Sequence, residues 1–373
     1  MTRLVIDARM AGHSGIGTYL DNVLPRVVSL LAPWRPLVLA RTASRLNLSS
    51  MLAPYAEVST WDVPPLGVRN LLSAPPGAGP RDLLWTPHFN VPVRGSSPLA
   101  VTLHDLLPVT APRLAGRGRS FPVRLWLHVI RARARVIFSV SEFTRREAVL
   151  RGGLDDARLV VTPLGVDRRW VDAGSTARPV TEPGDSSVPT IIFVGLPKPH
   201  KNLTRLLHAF ASISSQIPHR MMLVTATRGI RNVDLGVMPV VRAMGERVAL
   251  VEQLPLPELI ERVRSAQFAA LPSLHEGFGL PALEAMAAGT PLLVSGAGGL
   301  PEVCGDAALY CDPLSVEDIA RGLLRLATDA ELRARLSDAG SRRAATFSWE
   351  RCASRTAEAL ESELVGLSGS TRQ

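Results

Sequence analysis

The sequence PSLHEGFGLPALEAMAAGTPLLVSGAGGLPE, at residues 272–302, carries the strongest pattern in the chain. The apolar residues 267–271 just before it predict a buried strand, and residues 272–280 predict a loop punctuated by glycines. Residues 281–288 have a helical pattern that a glycine ends, and residues 291–294 predict another apolar strand. A strand, a loop, a helix and a second strand in this order indicate part of a parallel α/β sheet.

The loop before this helix combines two glycines with two carboxylates. Gly277 and Gly279 allow main-chain N–H groups to approach a ligand closely. A loop that leads into a helix N-terminus is a good anion site, because unpaired N–H groups and the helix dipole both face the ligand. Glu276 on the loop and Glu284 about one turn into the helix suit hydroxyl groups, such as those of a ribose and a hexose. We expect a sugar-phosphate site here; the alternative is an ordinary turn with incidental acidic residues.

The sequence EGFGLPALEAMAAGTP, with seven residues between its two glutamates, resembles the signature of retaining glycosyltransferases of the GT-B fold, family 4 (glycosyl transferases group 1). The resemblance implies an α/β protein with two Rossmann-like, doubly wound domains facing a cleft. It implies that Glu276 is catalytic and faces the donor sugar, that Glu284 holds the nucleotide ribose, and that loop amides hold the diphosphate. The donor-binding residues that it implies on this loop are Glu276, Gly277, Phe278, Gly279 and Leu280.

A second motif contains the chain's rarest basic residue. Of the 42 basic residues only Lys198 and Lys201 are lysines, and both lie in the segment GLPKPHKN at 195–202. Because the two lysines lie so close together, chance placement is a poor explanation. Lys is a compact charge that fits a phosphate at close range. The segment resembles the family's G-x-x-x-P-R-K-N turn, which implies that Lys201 is catalytic and pairs with the donor diphosphate, and that Asn202 binds the donor. His200 stands where the family has Arg, and Lys198 is expected to compensate; the alternative is a plain surface loop.

The N-terminal segment AGHSGIGTYL, at residues 11–20, predicts a glycine-rich turn that opens a helix. Its spacing is not that of a dinucleotide-binding loop. It resembles the family's GIGRY-type loop, with Thr18 where Arg is frequent, which implies that Gly15 and Gly17 contribute amides near the transferred sugar and phosphate. The alternative is a tight turn with no ligand.

The segment VTLHDLLP, at residues 101–108, places His104 and Asp105 just past the carboxyl end of a predicted strand. Ligands of open α/β sheets bind at that edge. His104 could donate a hydrogen bond to a sugar hydroxyl or position an acceptor. The family carries an HD pair here, which implies that both residues are catalytic and face the donor sugar; the alternative is that they cap the following segment.

The 373 residues are 46% apolar and 20% charged, which fits a globular protein with two ordinary domains. Residues 315–346 are predicted to be helical. The resemblance implies that Leu254 lies beside the nucleobase. The predicted strands are 3–8, 37–40, 56–61, 83–85, 99–103, 135–140, 158–166, 190–194, 221–226, 247–251, 267–271 and 291–294. With the roles that the resemblance implies, we expect an acceptor-binding domain at 1–175, a linker at 176–189, a nucleotide-sugar donor-binding domain at 190–346 and, at 347–373, a helix that crosses back to the first domain.

Residues 113–135 form a basic segment, since no acidic residue lies between Asp105 and Glu142. Its arginines alternate with apolar residues, among them Phe121 and Trp126. One interpretation is peripheral docking on an anionic membrane. The other is a solvated basic helix whose apolar side packs on its own domain. No nucleic-acid motif accompanies the segment, so no nucleic-acid partner is expected.

The sequence shows neither a signal-peptide pattern nor an apolar run long enough to span a membrane, so we expect a cytoplasmic protein, at the inner face of the cytoplasmic membrane if the basic segment docks. The three cysteines form no metal-type pair and are expected to be reduced and structural. No paired-Asp motif for a metal is evident. We therefore expect metal-independent activity and no cofactor, with the nucleotide-sugar as a substrate.

Together with the resemblance, these features predict a retaining hexosyltransferase of cell-surface glycan biosynthesis. GDP-mannose is the first choice of donor, because the GIG-type loop with HDLLP resembles mannosyltransferases of bacterial surface polysaccharides; UDP-glucose and dTDP-rhamnose stay open. The expected acceptor is a hydroxyl of a lipid-linked or polysaccharide glycan. Two other interpretations are a nucleotide-sugar-binding protein without catalysis and a two-domain phosphorylase. The two glutamates do not suit a glycosidase, which needs both at the scissile bond.

Overall fold

A computed structural model describes residues 2–12, 14–65, 68–115, 120–175, 188–225, 233–252 and 254–369. The chain divides into two compact units. The first contains Met1–Arg113, Arg117–Gly165 and Ser348–Gln373, and the second contains Leu114–Gly116 and Val166–Phe347. The first unit is therefore built from segments that are far apart in the sequence.

In the described part of the first unit, seven strands form one sheet. The strands are β1 (Leu4–Asp7), β2 (Leu37–Ala40), β3 (Glu57–Thr60), β4 (Leu83–Thr86), β5 (Leu99–Leu103), β6 (Ala134–Ser139) and β7 (Leu159–Val161). Their order is β3-β2-β1-β4-β5-β6-β7, and all neighbours are parallel. β1, β2, β4 and β5 are buried along their whole length, which explains their continuous apolar sequences.

The helices up to residue 150 connect the strands of this sheet. They are α1 (Ser14–Leu30), α2 (Thr42–Leu52), α3 (Val68–Leu72), α4 (Leu107–Thr110), α5 (Pro112–Ala115), α6 (Ser120–Arg133) and α7 (Glu142–Leu150). α7 begins where the Ser141 side chain accepts a hydrogen bond from the Thr144 amide, so Ser141 is its N-cap.

The described part of the second unit contains a six-stranded parallel sheet. Its strands are β8 (Thr190–Val194), β9 (Arg220–Val224), β10 (Val248–Val251), β11 (Phe268–Leu271), β12 (Leu292–Ser295) and β13 (Leu309–Cys311). The order is β10-β9-β8-β11-β12-β13. Its helices are α8 (Arg168–Ser175), α9 (Leu203–Ile213), α10 (Val237–Met244), α11 (Leu256–Ser265), α12 (Leu280–Ala287), α13 (Leu300–Cys304), α14 (Val316–Thr328) and α15 (Ala330–Ala344).

The final helix, α16 (Trp349–Gly369), belongs to the first unit. It packs on α1 and β6. Leu360 and Leu364 are completely buried in this contact region, while Val365 on the same helix is 57% exposed. The first sheet is thus covered in part by residues that follow the whole second unit in the sequence.

The two parallel sheets confirm the predicted α/β fold class. Two details differ from the sequence prediction. β13 was missing from it, because only Cys311 of its three residues is buried and the strand leaves no clear buried pattern. The helix predicted over 315–346 is two helices, since the Asp329 side chain accepts from the Leu332 amide and starts α15.

The observed units also differ from the predicted domain limits, most of all at the end of the first domain, and residues 114–116 and 347 fall in the second unit as well. Residues 166–175, including α8, belong to the second unit, where α8 packs on α11 and α12. The predicted linker at 176–189 lies outside the described residues except for its last two positions.

Candidate active site

The second sheet reverses its strand order between β8 and β11, which are parallel neighbours. The connections from these two strands leave in opposite directions, so a crevice opens at their carboxyl ends, where α/β sheets bind ligands. Residues 195–202 follow β8 and residues 272–279 follow β11. The topology therefore brings the two predicted donor-binding loops together at one edge.

Lys201 and Glu276 form the centre of this edge. Lys201 Nζ lies 2.7 Å from Glu276 Oε1, and both side chains are largely buried, 16% and 14% exposed. Ser273 Oγ donates to the same carboxylate oxygen at 2.7 Å. The Leu274 amide donates to the His200 carbonyl at 2.7 Å, which joins the two loops through their main chains.

The surroundings of Glu276 keep it ionised. Burial alone would raise the pKa of this carboxyl. The charge and hydrogen bond of Lys201, the hydroxyl of Ser273 and the nearby His200 together lower the pKa below its usual value. Glu276 is therefore a carboxylate at neutral pH, and it can accept hydrogen bonds from hydroxyl groups.

The loop that carries Glu276 is supported by Gly298 and Gly299, which lie just before α13. The Gly299 amide donates to the Glu276 carbonyl at 2.8 Å. A Cβ atom on Gly298 would lie 2.5 Å from the Glu276 carbonyl oxygen, and one on Gly299 would lie 2.6 Å from the Gly277 oxygen. Such main-chain contact requires glycine, and Gly298 also has a left-handed φ of +68°.

The N-terminus of α12 follows directly. Gly279 is its N-cap with φ +104°, and no side chain caps the helix. Within the described ranges, the amides of Phe278, Gly279 and Leu280 donate to no other group. These N–H groups and the positive end of the helix dipole form an anion-binding surface beside Lys201.

Asn202 was predicted to bind the donor, but its side chain holds the protein together. Its Nδ2 group donates to the Pro272 carbonyl at 2.9 Å and to the Pro313 carbonyl at 2.7 Å, and its Oδ1 accepts from Arg205. The residue also has a left-handed φ of 60°, which Asn tolerates better than most residues. Both hydrogens of the side-chain amide are used in these bonds, so the Asn202 side chain fixes the Lys201 loop. Its contact with the nucleotide-sugar stays a prediction.

Glu284 lies in the second turn of α12, at a small cavity of about 10 Å³ that Trp170, Val263 and Leu271 also line. Burial, with a contribution from the charge of Asp167, raises the pKa of Glu284 to about 8. The carboxyl thus loses its charge far more readily than an exposed glutamate. Lys198 and Leu254 are half-buried on the loops before α9 and α11.

The other predicted catalytic residues belong to the first unit. His104 Nε2 lies 3.0 Å from the Pro87 carbonyl. A carbonyl can only accept, so Nε2 carries the hydrogen and Nδ1 is the acceptor. Burial is the main reason why the pKa of His104 falls to about 4, so the ring is neutral at pH 7. Tyr19 meets it edge to face, with ring centroids 5.0 Å apart.

Asp105 and the two glycines have mixed roles. Asp105 Oδ1 accepts from the Leu107 amide at 3.0 Å and so supports α4, as the capping alternative requires. A Cβ on Gly17 would lie 3.0 Å from the main chain of Gly12, so Gly17 serves close packing. A Cβ on Gly15 would meet nothing within 4 Å, so Gly15 borders open space.

Sequence reasoning missed a buried ionic cluster at the carboxyl end of β1. Asp7 and Arg9 are 0% and 1% exposed, and His88 beside them is 1% exposed. Charged residues are seldom fully buried. An Asp and an Arg at the end of a strongly apolar strand were therefore the signal in the sequence that could have revealed this cluster.

The structure shows where the apolar side of the basic segment lies. The apolar side of α6, with Val123, Leu127 and Ile130, belongs to the hydrophobic core of the first unit. Arg131 donates to the Gly152 carbonyl and Arg133 to the Pro92, Val93 and Ser97 carbonyls. The apolar side is therefore not free to enter a bilayer, as the packed-helix alternative predicts. Arg117 and Arg119 lie outside the described residues.

The described ranges contain neither a metal-binding cluster nor a helix that could span a membrane. No cluster of three or more His, Cys, Asp or Glu side chains there is arranged to hold a metal ion. Similarly, no described helix is both long and apolar enough to cross a membrane. The expected metal independence stays a prediction.

The fold is that of the GT-B class of glycosyltransferases. Anabaena HepE in complex with UDP-glucose matches with a TM-score of 0.76 at 18% identity, over 97% of this chain and 100% of that chain. Sucrose-phosphate synthase from Thermosynechococcus elongatus matches with a TM-score of 0.75 at 19% identity, over 98% and 100% of the two chains. At these identities the likeness concerns the fold alone.

Sequence relatives define the family. The family profile described as Glycosyl transferases group 1 matches residues 181–343. O-antigen chain mannosyltransferase B from Escherichia coli is 30% identical over 280 residues, 74% of this chain and 73% of that protein. MMP alpha-(1->4)-mannosyltransferase from Mycolicibacterium hassiacum is 31% identical over 290 residues, 72% of this chain and 66% of that protein. The chain belongs to the glycosyl transferases group 1 family, and it is a glycosyltransferase.

Proposed function

We propose that this glycosyltransferase moves a hexose, with mannose from GDP-mannose as the first candidate, from a nucleotide-sugar to a hydroxyl of a lipid-linked or polysaccharide acceptor. The configuration of the anomeric carbon is retained. The observation that carries the proposal is one edge of the second sheet. Lys201, the carboxylate of Glu276 and three amides that have no partner among the described residues meet there.

The relatives support the sugar and the acceptor. Two of them are mannosyltransferases by name, and one of these is named for the O-antigen chain. HepE, whose fold is similar, was solved with UDP-glucose. The UDP-glucose in that complex supports a nucleotide-sugar donor. UDP-glucose and dTDP-rhamnose are the alternatives to GDP-mannose.

Each residue has a role that its surroundings suit. The amides at the start of α12 and the charge of Lys201 bind the diphosphate, and Lys198 adds charge where the family has Arg at His200. Glu284 accepts hydrogen bonds from the ribose hydroxyls, and Glu276 from hydroxyls of the donor sugar. His104 accepts from a sugar hydroxyl through Nδ1, with Asp105 beside it.

Transfer breaks the bond between the anomeric carbon and the diphosphate oxygen and forms a bond from that carbon to the acceptor oxygen. The products are the glycosylated acceptor, the nucleoside diphosphate and the proton of the acceptor hydroxyl. Negative charge grows on the leaving diphosphate during this step. Lys201 and the α12 amides stabilise that charge more strongly in the transition state than in the bound donor.

Donor binding is tested by thermal shift with GDP-, UDP-, dTDP- and ADP-sugars. A ligand that binds only the folded protein raises the melting temperature. We expect the largest shift with GDP-mannose, and its loss in Glu284→Ala. The control is Glu261→Ala, because Glu261 is exposed on α11 of the same unit. If no nucleotide-sugar raises the melting temperature, the proposed donor site is wrong.

Catalysis is tested with the donor that binds and a lipid-diphosphate-linked sugar as acceptor. We expect release of nucleoside diphosphate together with a new glycosidic bond, whose proton and carbon couplings in NMR show the same anomeric configuration as the donor. Donor binding without transfer to any hydroxyl acceptor favours the non-catalytic alternative. Inverted configuration in the product contradicts retention.

A lipid-linked acceptor places the reaction at the cytoplasmic face of the membrane. A membrane contact would rest on the charge of the exposed arginines of the basic segment, which are Arg113, Arg124, Arg131 and Arg135. Binding to vesicles with anionic lipid is then expected at low salt and lost in roughly 1 M salt, where the Debye length is about 3 Å. Equal binding to neutral vesicles would contradict this contact.

A further inference from the structure

The function proposed above leaves the buried cluster of the first unit unused. Asp7 ends β1, and its side chain and that of Arg9 are both 0% exposed. Arg9 Nε donates to Asp7 Oδ1 at 2.8 Å and Nη2 donates to Asp7 Oδ2 at 2.6 Å. This forked geometry is the strongest that an arginine and a carboxylate can form.

The remaining contacts of Arg9 hold two other segments, the loop after β3 and α3. Nη1 donates to the Val63 carbonyl at 2.6 Å, and Nη2 donates to Asn70 Oδ1 at 2.8 Å. The guanidinium carbon lies 3.2 Å from the centroid of the Trp61 ring. A buried ion pair is weak support for stability, because the cost of removing both charges from water offsets their attraction. Stability alone therefore explains this cluster poorly, and its many contacts point to a role in positioning neighbouring residues.

His88 links this cluster to the loop after β4. The Asn90 amide donates to His88 Nδ1 at 3.1 Å, so Nδ1 is an acceptor and the neutral ring carries its hydrogen on Nε2. Nε2 faces Asp7 Oδ2 in a long contact of 3.4 Å. Asn70 Nδ2 also donates to the Asn90 carbonyl at 2.8 Å, so the loop is held from both sides.

Pro87 precedes His88, and its carbonyl accepts the hydrogen bond from His104 Nε2 at 3.0 Å. The position of this carbonyl decides which ring nitrogen of His104 carries hydrogen. With Nε2 bound to Pro87, Nδ1 has its lone pair available and has no partner within the described part of the chain. A shifted Pro87 carbonyl would free the ring to adopt the other tautomer.

We propose that Asp7, Arg9 and His88 are positioning residues: through the Pro87 carbonyl they hold His104 as the tautomer whose Nδ1 accepts a hydrogen bond from a ligand hydroxyl. All these residues lie at the carboxyl ends of β1, β4 and β5, and β1 and β4 are the neighbours between which the first sheet reverses its order. That is the ligand-binding edge of such a sheet. That the hydroxyl belongs to a sugar rests on the proposed function.

The tautomer is tested directly by NMR on protein with ¹⁵N-labelled histidine, with the His104 signals assigned from His104→Gln. Wild type is expected to show hydrogen on Nε2 and a bare Nδ1 at neutral pH. Its ring should stay neutral to well below pH 6, since burial lowers the pKa of His104 to about 4, while Asp105 and His88 nearby act in opposite directions.

Arg9→Lys keeps the charge but loses the fork, and His88→Gln keeps the Asp7–Arg9 pair but loses the ring. In both we expect a mixture of His104 tautomers and about tenfold slower sugar transfer, the effect of roughly one hydrogen bond. The control is Arg131→Lys, because Arg131 forks onto the Gly152 carbonyl of the same unit and has no contact with the cluster. It should leave the tautomer unchanged.

The proposal is overturned if His104 keeps its Nε2 hydrogen and its titration in both variants, even where they are less stable. If Arg9→Lys does not fold, His88→Gln alone decides, since the buried ion pair remains in it. The NMR measurement needs neither nucleotide nor activity. Failure of the proposed function, with no nucleotide bound and no sugar transferred, is therefore distinct from failure of this inference.

Discussion

The surroundings of Glu284 and its proposed role favour different protonation states of its carboxyl group. Burial and the neighbouring charge of Asp167 raise its pKa to about 8, which favours the neutral acid. Ribose hydroxyls, by contrast, donate most strongly to an ionised carboxylate. Nucleotide binding near neutral pH should therefore release a proton from this residue.

Glu284→Gln should change how the stability of the ligand-free protein depends on pH. The folded protein holds this proton more tightly than the unfolded chain, with a pKa of about 8 against 4.5. Glu284 thus contributes stability below pH 4.5 that is lost as the pH rises through 8. A difference of about 3.5 pKa units corresponds to roughly 5 kcal/mol. We therefore expect the variant to exceed wild type by about 4 kcal/mol near pH 9 and to come within about 1 kcal/mol of it near pH 5.

Chemical unfolding across this pH range measures the effect. Glu261→Gln is the matched control, because its exposed side chain has no such environment. Parallel pH profiles for Glu284→Gln and wild type would mean that Glu284 ionises normally in the folded state.

The loops before α12 and α13 depend on each other through their main chains. Gly298 and Gly299 allow this contact, while a Cβ on Gly296, in the same loop, would meet nothing within 4 Å. Substitutions at these three glycines therefore distinguish the effect of main-chain crowding from the effect of replacing a glycine as such.

Gly299→Ala should displace the Glu276–Gly277 main chain, since its Cβ would lie 2.6 Å from the Gly277 oxygen. We expect a loss of about 1–3 kcal/mol in stability and at least tenfold weaker nucleotide binding, because the α12 amides move with this loop. Unfolding and thermal shift measure the two effects. Gly296→Ala should behave like wild type, and a nucleotide affinity unchanged in Gly299→Ala would refute the coupling.

Most elements could be predicted because buried parallel strands leave continuous apolar runs. The predicted bounds match the observed ones in β2 and β5, which are buried throughout, and in β8, whose three central residues are buried. The two ends of the Lys201–Glu276 pair were predicted from motifs, but their direct contact was not. Asn202 and the Asp7–Arg9 cluster act through partners distant in sequence, which local pattern cannot reveal. The division between α14 and α15 had a local signal, the Asp329 cap, that the longer helical pattern obscured.

The first unit depends on α16 for part of its core. Leu360 and Leu364 of α16 are completely buried, and the helix packs on α1 and β6. The second unit has its own sheet and helices between residues 166 and 347. Damage to α16 should therefore loosen one unit selectively.

Leu360→Ala combined with Leu364→Ala should destabilise the first unit by about 4 kcal/mol or more, since each buried truncation costs roughly 2–5 kcal/mol. Hydrogen exchange followed by mass spectrometry should show faster exchange in α1 and β6 and little change in β8–β12. Val365→Ala, at a site 57% exposed on the same helix, is the control. Equal acceleration in both units would contradict selective loosening.

The position of α16 in the sequence also has a consequence for biosynthesis. Residues 349–369 leave the ribosome only after residues 166–347, so the nascent chain holds a complete second unit while the first unit still lacks a helix. The uncovered apolar surface beside α1 and β6 would be exposed during that interval. The part of the protein that is made first is thus the part that can finish folding last, and chaperone demand during translation should depend on the first unit.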